Sequence, residues 1–347
     1  MKTLTVAVVA LAALSASQAP AYRWLPQTSG VTARLRGVSA VSGAVAWASG
    51  ANGTVLRTDD GGARWQKLTV PGADALDFRD VDGIDPNTAY ILSIGAGTAS
   101  RIYKTTDAGA TWALQFTNED PKGFFDAMAF WDGSSGLVMG DSIDGRFEIL
   151  RTRDGGKTWA RIPAASLPAA LPNEGAFAGS GTNVAVLPGG HAWIGTGAGP
   201  RCRILHTADY GSTWTVVDTP VAASESAGIF SIAFRDAKTG MTVGGDFRKE
   251  GEAIDNAAFT HDGGLTWTKV TGLGGFRSVV TAVPNMPRAW IAVGPSGADV
   301  TRDDGATWTP IPGEGYHTFS YDKNRANAWA AGEKGRIGRL EVGRRIQ

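Results

Sequence analysis

The chain has 347 residues, room for one large or two ordinary domains. Its 47 Gly, 12 Trp and 43% hydrophobic residues describe a turn-rich, well-cored chain, not a disordered one. With 33 Lys+Arg against 33 Asp+Glu the net charge is zero, which excludes bulk binding to nucleic acid or an anionic membrane and leaves only a local charged patch.

Lys2 is followed by the apolar run Leu4 to Leu14 and then by small residues ending Ala19-Pro20-Ala21. This is the order of a secretory signal peptide, and the run is too short for a stable membrane span. Residues 1–21 are read as the signal, with an uncleaved anchor as the other reading, and residues 22–347 as the mature chain. The mature protein is expected in the periplasm or outside the cell as a soluble monomer with no membrane span. Cys202 is the single cysteine, so no internal disulfide forms and packing must supply the stability. It reads as a buried, inert thiol. The four His are scattered, without metal-ligand spacing. No metal and no cofactor is expected.

The stretch Thr152-Arg153-Asp154-Gly155-Gly156-Lys157-Thr158-Trp159 recurs six times, beginning also at Thr58, Thr105, Thr207, Thr260 and Thr301. Each copy reads Thr-x-Asp-x-Gly-x-Thr-Trp, except that Arg64 replaces the second Thr of its copy. The acids are Asp60, Asp107, Asp154, Asp209, Asp262 and Asp303, and the aromatics Trp65, Trp112, Trp159, Trp214, Trp267 and Trp308. A turn explains the pattern: the Asp carboxylate holds backbone N–H groups two residues on, Gly permits a positive φ, Thr restarts a strand and Trp packs on a neighbour. Spacings of 47, 47, 55, 53 and 41 between the acids, with strand-like content, mark a propeller or solenoid of four-stranded units.

In the second unit, Asp77 to Val81, Ala89 to Ile94, Arg101 to Thr105 and Thr111 to Phe116 read as four strands, and only the signal segment has helical periodicity. After the sixth copy, Tyr316 to Tyr321, Ala328 to Ala331 and Gly335 to Val342 supply three more. Tyr22-Arg23-Trp24-Leu25-Pro26 matches the fourth-strand segment Ala306 to Pro310. The N-terminal strand therefore completes the last unit, and the expectation is one all-β, seven-bladed propeller closed on itself.

These repeats resemble the Asp-box, or bacterial neuraminidase repeat, of sialidases, two-propeller xyloglucanases and sortilin-type receptors. The seven units, the export signal and the phrase Arg151 to Trp159 are most similar to the photosystem II assembly and stability factor family, over the whole mature chain. That resemblance implies a binding or assembly scaffold with an arginine-rich patch. Its counterparts here would be Arg36, Arg79 and Arg277.

Because strands alternate in direction, the inner-strand starts and second-strand ends lie on the face opposite the repeated hairpins. Aligning the inner strands on Leu35, Phe78, Phe125, Phe177, Phe230, Phe276 and Tyr316 places Arg36, Arg79, Asp126, Ala178, Ser231, Arg277 and His317 around that mouth. The second strands end near Asp141, Asp246 and Glu333. Such a funnel suits a protein partner or another polar or anionic ligand, while pairing of these charges between blades would make them structural. The long Asp246–Ala257 and Pro163–Glu174 connections point to the same face. A non-enzymatic scaffold is the expected function. The alternative is a glycoside hydrolase, sialidase-like or working with two of Asp126, Asp141, Asp246 and Glu333. In the sialidase version Arg36, Arg79 and Arg277 imitate an arginine triad and Tyr316 a nucleophile.

Overall fold

The computed structural model describes residues 22–343, so the signal-peptide segment lies outside the described residues. Strand β1 (Tyr22–Gln27) comes first in the chain and last in the ring. Blade 1 is β2 (Leu35–Ala40), β3 (Ala46–Gly50), β4 (Thr54–Thr58) and β5 (Gln66–Leu68). Blade 2 is β6 (Asp77–Gly83), β7 (Ala89–Ile94), β8 (Arg101–Thr105) and β9 (Ala113–Thr117). Blade 3 is β10 (Phe125–Phe130), β11 (Gly136–Ile143), β12 (Arg146–Thr152) and β13 (Ala160–Arg161). Blade 4 is β14 (Val184–Leu187), β15 (His191–Gly195), β16 (Arg203–Thr207) and β17 (Thr215–Asp218). Blade 5 is β18 (Ala227–Phe234), β19 (Gly240–Asp246), β20 (Ala257–Thr260) and β21 (Thr268–Val270). Blade 6 is β22 (Val279–Ala282), β23 (Trp290–Gly294), β24 (Gly297–Thr301) and β25 (Thr309–Ile311). Blade 7 is β26 (Thr318–Tyr321), β27 (Ala328–Ala331) and β28 (Ile337–Val342), with β1 as its outer strand.

All seven sheets are antiparallel and four-stranded. The expected closure is present: β1 pairs with β28 from Tyr22↔Val342 to Gln27↔Ile337. Trp24 fills the place of a box tryptophan, with its ring 4.8 Å from Tyr316 and 5.9 Å from Phe319.

The core is a ring of seven apolar clusters, each lying between two adjacent blades. Second strands are buried on both faces, so they read as apolar runs without alternation. On them Trp47, Tyr90, Trp193, Trp290 and Trp329 are fully buried. Two reach the next blade's box: Tyr90 Oη donates to the Gly155 carbonyl at 2.7 Å and Trp193 Nε1 to the Gly263 carbonyl at 2.8 Å.

Inner strands would be bare edges, and side chains of neighbouring blades satisfy them. The Asp80 and Asp82 carboxylates on β6 accept the N–H groups of Met128 and Phe130 on β10, at 2.7 and 3.1 Å. Ser39, Ser231 and Ser320 do the same for Gly83, Val280 and Ala40.

The boxes form turns braced by their own side chains, with one correction to the expected geometry. The Asp154 carboxylate takes the N–H of Thr158, four residues on rather than two, at 2.9 Å, and its other oxygen takes the Thr158 hydroxyl at 2.7 Å. Thr152 Oγ1 donates to Asp154 and accepts the Gly156 N–H at 2.8 Å. The first threonine is thus as necessary to the turn as the acid. In Asp262 and Asp303 burial pushes the carboxyl up, but the threonine hydroxyls and backbone N–H groups prevail and hold it at about 2. That stabilisation is present above the ordinary carboxylate range and is lost as pH falls through about 2.

Removing residues 22–27 leaves the outer edge of β28 unpaired and uncovers the cluster between blades 6 and 7. A chain beginning at Thr28 is expected to lose at least about 3 kcal/mol of stability. A denaturation midpoint equal to that of the chain beginning at Tyr22 would show that closure is dispensable.

Candidate functional site

The inner-strand starts and second-strand ends line a cavity of about 680 Å³ at the mouth opposite the boxes, with residues from all seven blades. Its side chains are aimed by a repeated backbone irregularity. Register shifts interrupt β2–β3 between Leu35 and Gly37, β6–β7 between Phe78 and Asp80, β10–β11 between Phe125 and Ala127, and β18–β19 between Ile229 and Ser231. The residue inside each bulge is Arg36, Arg79, Asp126 or Phe230, and all four line the cavity. A bulge leaves one residue outside the ladder and re-aims its side chain. The rigid ring thereby presents these four groups inward.

Blade 4 departs from the expected alignment. Phe177 and Ala178 do not open its inner strand, which starts at Val184. Residues 176–182 instead cross the central axis and bond to every other blade. Arg36 Nη1 and Arg79 Nη1 donate to the carbonyls of Gly179 and Ala178 at 3.3 and 2.8 Å. The Asp141 carboxylate takes the Ala176 N–H at 3.0 Å. Thr182 Oγ1 donates to Ser231 Oγ at 2.8 Å, Ser180 Oγ to the Ser278 carbonyl at 2.8 Å, and Thr318 Oγ1 to the Ser180 carbonyl at 3.3 Å. At Gly181 φ is +74° and a Cβ would run into the Asp80 carboxylate, so only glycine fits there. The crossing segment floors the cavity and makes it blind.

One wall is cationic. Arg79 Nε bonds Asp77 at 3.0 Å, and Arg34, which the sequence reading missed, lies 3.9 Å from the same carboxylate. Arg36 has no carboxylate in bonding range among the described residues, and its buried Nε has no partner. Burial, with Arg79 and Arg34 alongside, lowers its pKa to about 10. The other wall is aromatic. Phe177 stacks on Phe230 at 4.3 Å, Phe247 stands edge-on to both at 6.1 Å, and Phe276 meets Phe230 edge-on at 4.7 Å.

Asp126 and Asp141 occupy the corner between. Asp126 is 1% exposed and its Oδ2 has no hydrogen-bond partner. Burial first, then the Asp141 charge, push its carboxyl well above the usual range, against the pull of Arg79 and the Ala178 N–H. Burial also raises Asp141, opposed by the Ala176 N–H. His317 bonds Glu333 at 2.7 Å. Burial and the Arg36 charge bring its pKa to about 4 despite that carboxylate, so it is neutral near pH 7.

Three expected members are absent from the lining. Arg277 is 3% exposed and locked to Asp299 at 2.6 Å, because its side chain turns into blade 6. The Asp246 carboxylate is turned to its own loop, where it takes the Arg248 N–H at 2.9 Å. Glu333 reaches the cavity only through His317. The imitation of a sialidase site fails with them: Arg277 cannot join Arg36 and Arg79, and Tyr316 is buried against Trp24, with burial raising its hydroxyl to about 12. Cys202 is free and buried, and burial pushes its thiol up to about 12.

The molecule is thus a seven-bladed propeller with a blind, charged and aromatic pocket on its axis. No family model matches the chain. It is 26% identical to a xyloglucanase of Paenibacillus sp over 260 residues, 65% of this chain and 24% of that protein. It is 25% identical to the xyloglucanase Xgh74A of Acetivibrio thermocellus over 154 residues, 37% of this chain and 18% of that one. The chain spans about a quarter or less of the curated relatives it matches. Among solved structures it is similar to YCF48 bound to D1 peptide, with TM-score 0.64, 18% identity, and 93% of this chain and 99% of that one covered. YCF48 from Cyanidioschyzon merolae gives TM-score 0.66, 17% identity, 92% and 99%. The Pan2 WD40 domain of Neurospora crassa gives 0.62, 13%, 91% and 91%. The resemblance to the photosystem II assembly factors therefore holds in the fold.

Two outcomes test this description. Arg277→Ala leaves Asp299 buried without its partner and is expected to cost about 3–5 kcal/mol; a loss below about 1 kcal/mol in chemical denaturation would contradict the pairing. Asp126→Asn is expected to gain on the parent as pH rises. The raised Asp126 pKa means that the parent's stability is full below the ordinary aspartate value and falls above it, by at most about 1.4 kcal/mol per pH unit. A stability difference flat between about pH 4 and about pH 8 would show that Asp126 ionises freely.

Proposed function

We propose that this protein is an exported, monomeric, non-enzymatic scaffold, periplasmic or extracellular, whose axial pocket holds a segment of a protein partner. The observation that carries the reading is the cavity itself. A cationic wall, including an arginine without a carboxylate partner among the described residues, faces four phenylalanines across a volume within the usual range for ligand sites. An acidic or carboxyl-bearing group satisfies Arg36, and apolar side chains cover Phe177, Phe230, Phe247 and Phe276. The YCF48 structure with a D1 peptide lends support, since a propeller of the same fold takes a peptide.

The glycoside-hydrolase alternative retains one observation, the neighbouring Asp126 and Asp141. Two of the four carboxylates considered for it, Asp246 and Glu333, lie outside the pocket lining. The two that remain are both raised by burial, whereas the chemistry needs one acid and one ionised base or nucleophile.

Arg36→Gln is expected to weaken capture of acidic peptides by about tenfold or more, with the salt sensitivity of a charge contact and little change in thermal midpoint. Capture unaffected by the substitution would sink the pocket as the binding site. Release of sugars from xyloglucan by the parent, lost in Asp126→Asn or Asp141→Asn, would overturn the non-enzymatic reading.

A further inference from the structure

The cavity is not uniformly cationic. Its third-blade corner holds Asp126, a lining residue whose buried carboxyl oxygen Oδ2 has no partner. A buried acceptor left unpaired costs about 1–3 kcal/mol, and nearby cations do not relieve it. Arg79 spends its guanidinium on Asp77 and the Ala178 carbonyl. Asp141, from β11, gives one oxygen to Ala176 and adds negative charge beside Asp126. No group of three or more metal-ligating residues occurs among the described residues, so a metal ion is a poor counterion for this corner. A hydrogen-bonding organic cation suits it: a primary ammonium offers three donors to two adjacent carboxyls.

We propose that the Asp126–Asp141 corner is a subsite for a primary ammonium group of the bound segment. The pocket then reads a dipolar ligand, with its ammonium at Asp126, its anionic group at Arg36 and its apolar side chains on the phenylalanine wall. This rests on the reading of the cavity as a peptide site and adds to it a second, opposite charge requirement. The ammonium comes from a chain N-terminus or from a lysine; the chemistry at Asp126 is the same.

A proton linkage accompanies it. In the empty pocket burial and the Asp141 charge favour the protonated form of Asp126, with Arg79 and the Ala178 N–H opposing. The ammonium binds the ionised carboxyl and must displace that proton, so binding strengthens as pH rises. His317 is neutral over this range, its pKa lying at about 4. The competing arrangement, a neutral Asp126 donating to a ligand carbonyl, has the opposite pH dependence.

Three random heptapeptide pools test the proposal on the immobilised mature protein, with retention read by mass spectrometry. One pool has free N-termini and no lysine, the second is N-acetylated and contains lysine, and the third is N-acetylated without lysine. At about pH 8 the first or second pool is expected to be retained about tenfold over the third. Which of the two is retained identifies the source of the ammonium. The preference should shrink at about pH 5 and vanish in Asp126→Asn, which keeps the shape of the protonated side chain. Equal retention of all three pools, lost only in Arg36→Gln, would overturn the ammonium subsite and leave the peptide pocket standing. A preference that survives in Asp126→Asn would also overturn it. Retention of no pool would overturn both.

Discussion

The constraint on which the molecule depends is that seven sheets stand around an axis with their inner strands unpaired on one side. A bare strand edge invites foreign pairing and leaves backbone donors unsatisfied. Here polar side chains of adjacent blades take up those donors: Asp80 and Asp82 for blade 3, Ser39 for blade 2, Ser231 for blade 6 and Ser320 for blade 1. The arrangement needs each of these neighbours in place, and blades 1 and 2 both give and receive such a bond. Pairing of β1 with β28 closes blade 7 against blade 1. The buried aromatics of the second strands then make each interblade cluster continuous with the next.

That closed ring is what makes an unpaired, buried group such as Asp126 tolerable. Strain and desolvation at functional sites persist when the surroundings over-determine them, and the bulged residues of β2, β6, β10 and β18 are held from both sides by ladders that resume within one residue. The same rigidity separates charges with a structural role from charges left over for a ligand. Arg277 and Asp299 satisfy each other inside blade 6, and Arg203 of blade 4 does so with Glu174 in the connection before it. Arg36 and Asp126 have no such ion-pair partner among the described residues.

Much of the architecture was legible because it repeats. Six copies of one box set the period, and Trp24, standing where a seventh box tryptophan belongs, disclosed the closing strand. The cavity was legible only in part. Alignment on the residues that open the inner strands found Arg36, Arg79, Asp126 and His317, and the second-strand ends supplied Asp141, but a periodic pattern cannot reveal which way a side chain turns. Arg277 therefore counted equally with Arg36, although one is sealed in an ion pair. Bulges leave no compositional trace, which is why the common cause that aims Arg36, Arg79, Asp126 and Phe230 was invisible. Arg34 lay one residue before the aligned Leu35 and fell outside the pattern. The axial segment did leave a trace. The 55-residue spacing between Asp154 and Asp209 exceeds its two predecessors of 47, and the surplus is chain that crosses the axis before blade 4 begins. Ala176-Phe177-Ala178 resembles the start of a strand, so tertiary contacts, not local preference, decide its course.

The segment from Ala176 to Thr182 also decides how anything can occupy the axis. With it in place the propeller is a socket and not a sleeve: no strand can be drawn through, and whatever enters must leave by the same rim. Occupancy is then governed by a single doorway and by the shape of what is offered to it. A chain end, a tight bend or one long side chain fits such a doorway, whereas the middle of an extended strand does not. The molecule is built to hold a point on its partner, not to slide along one.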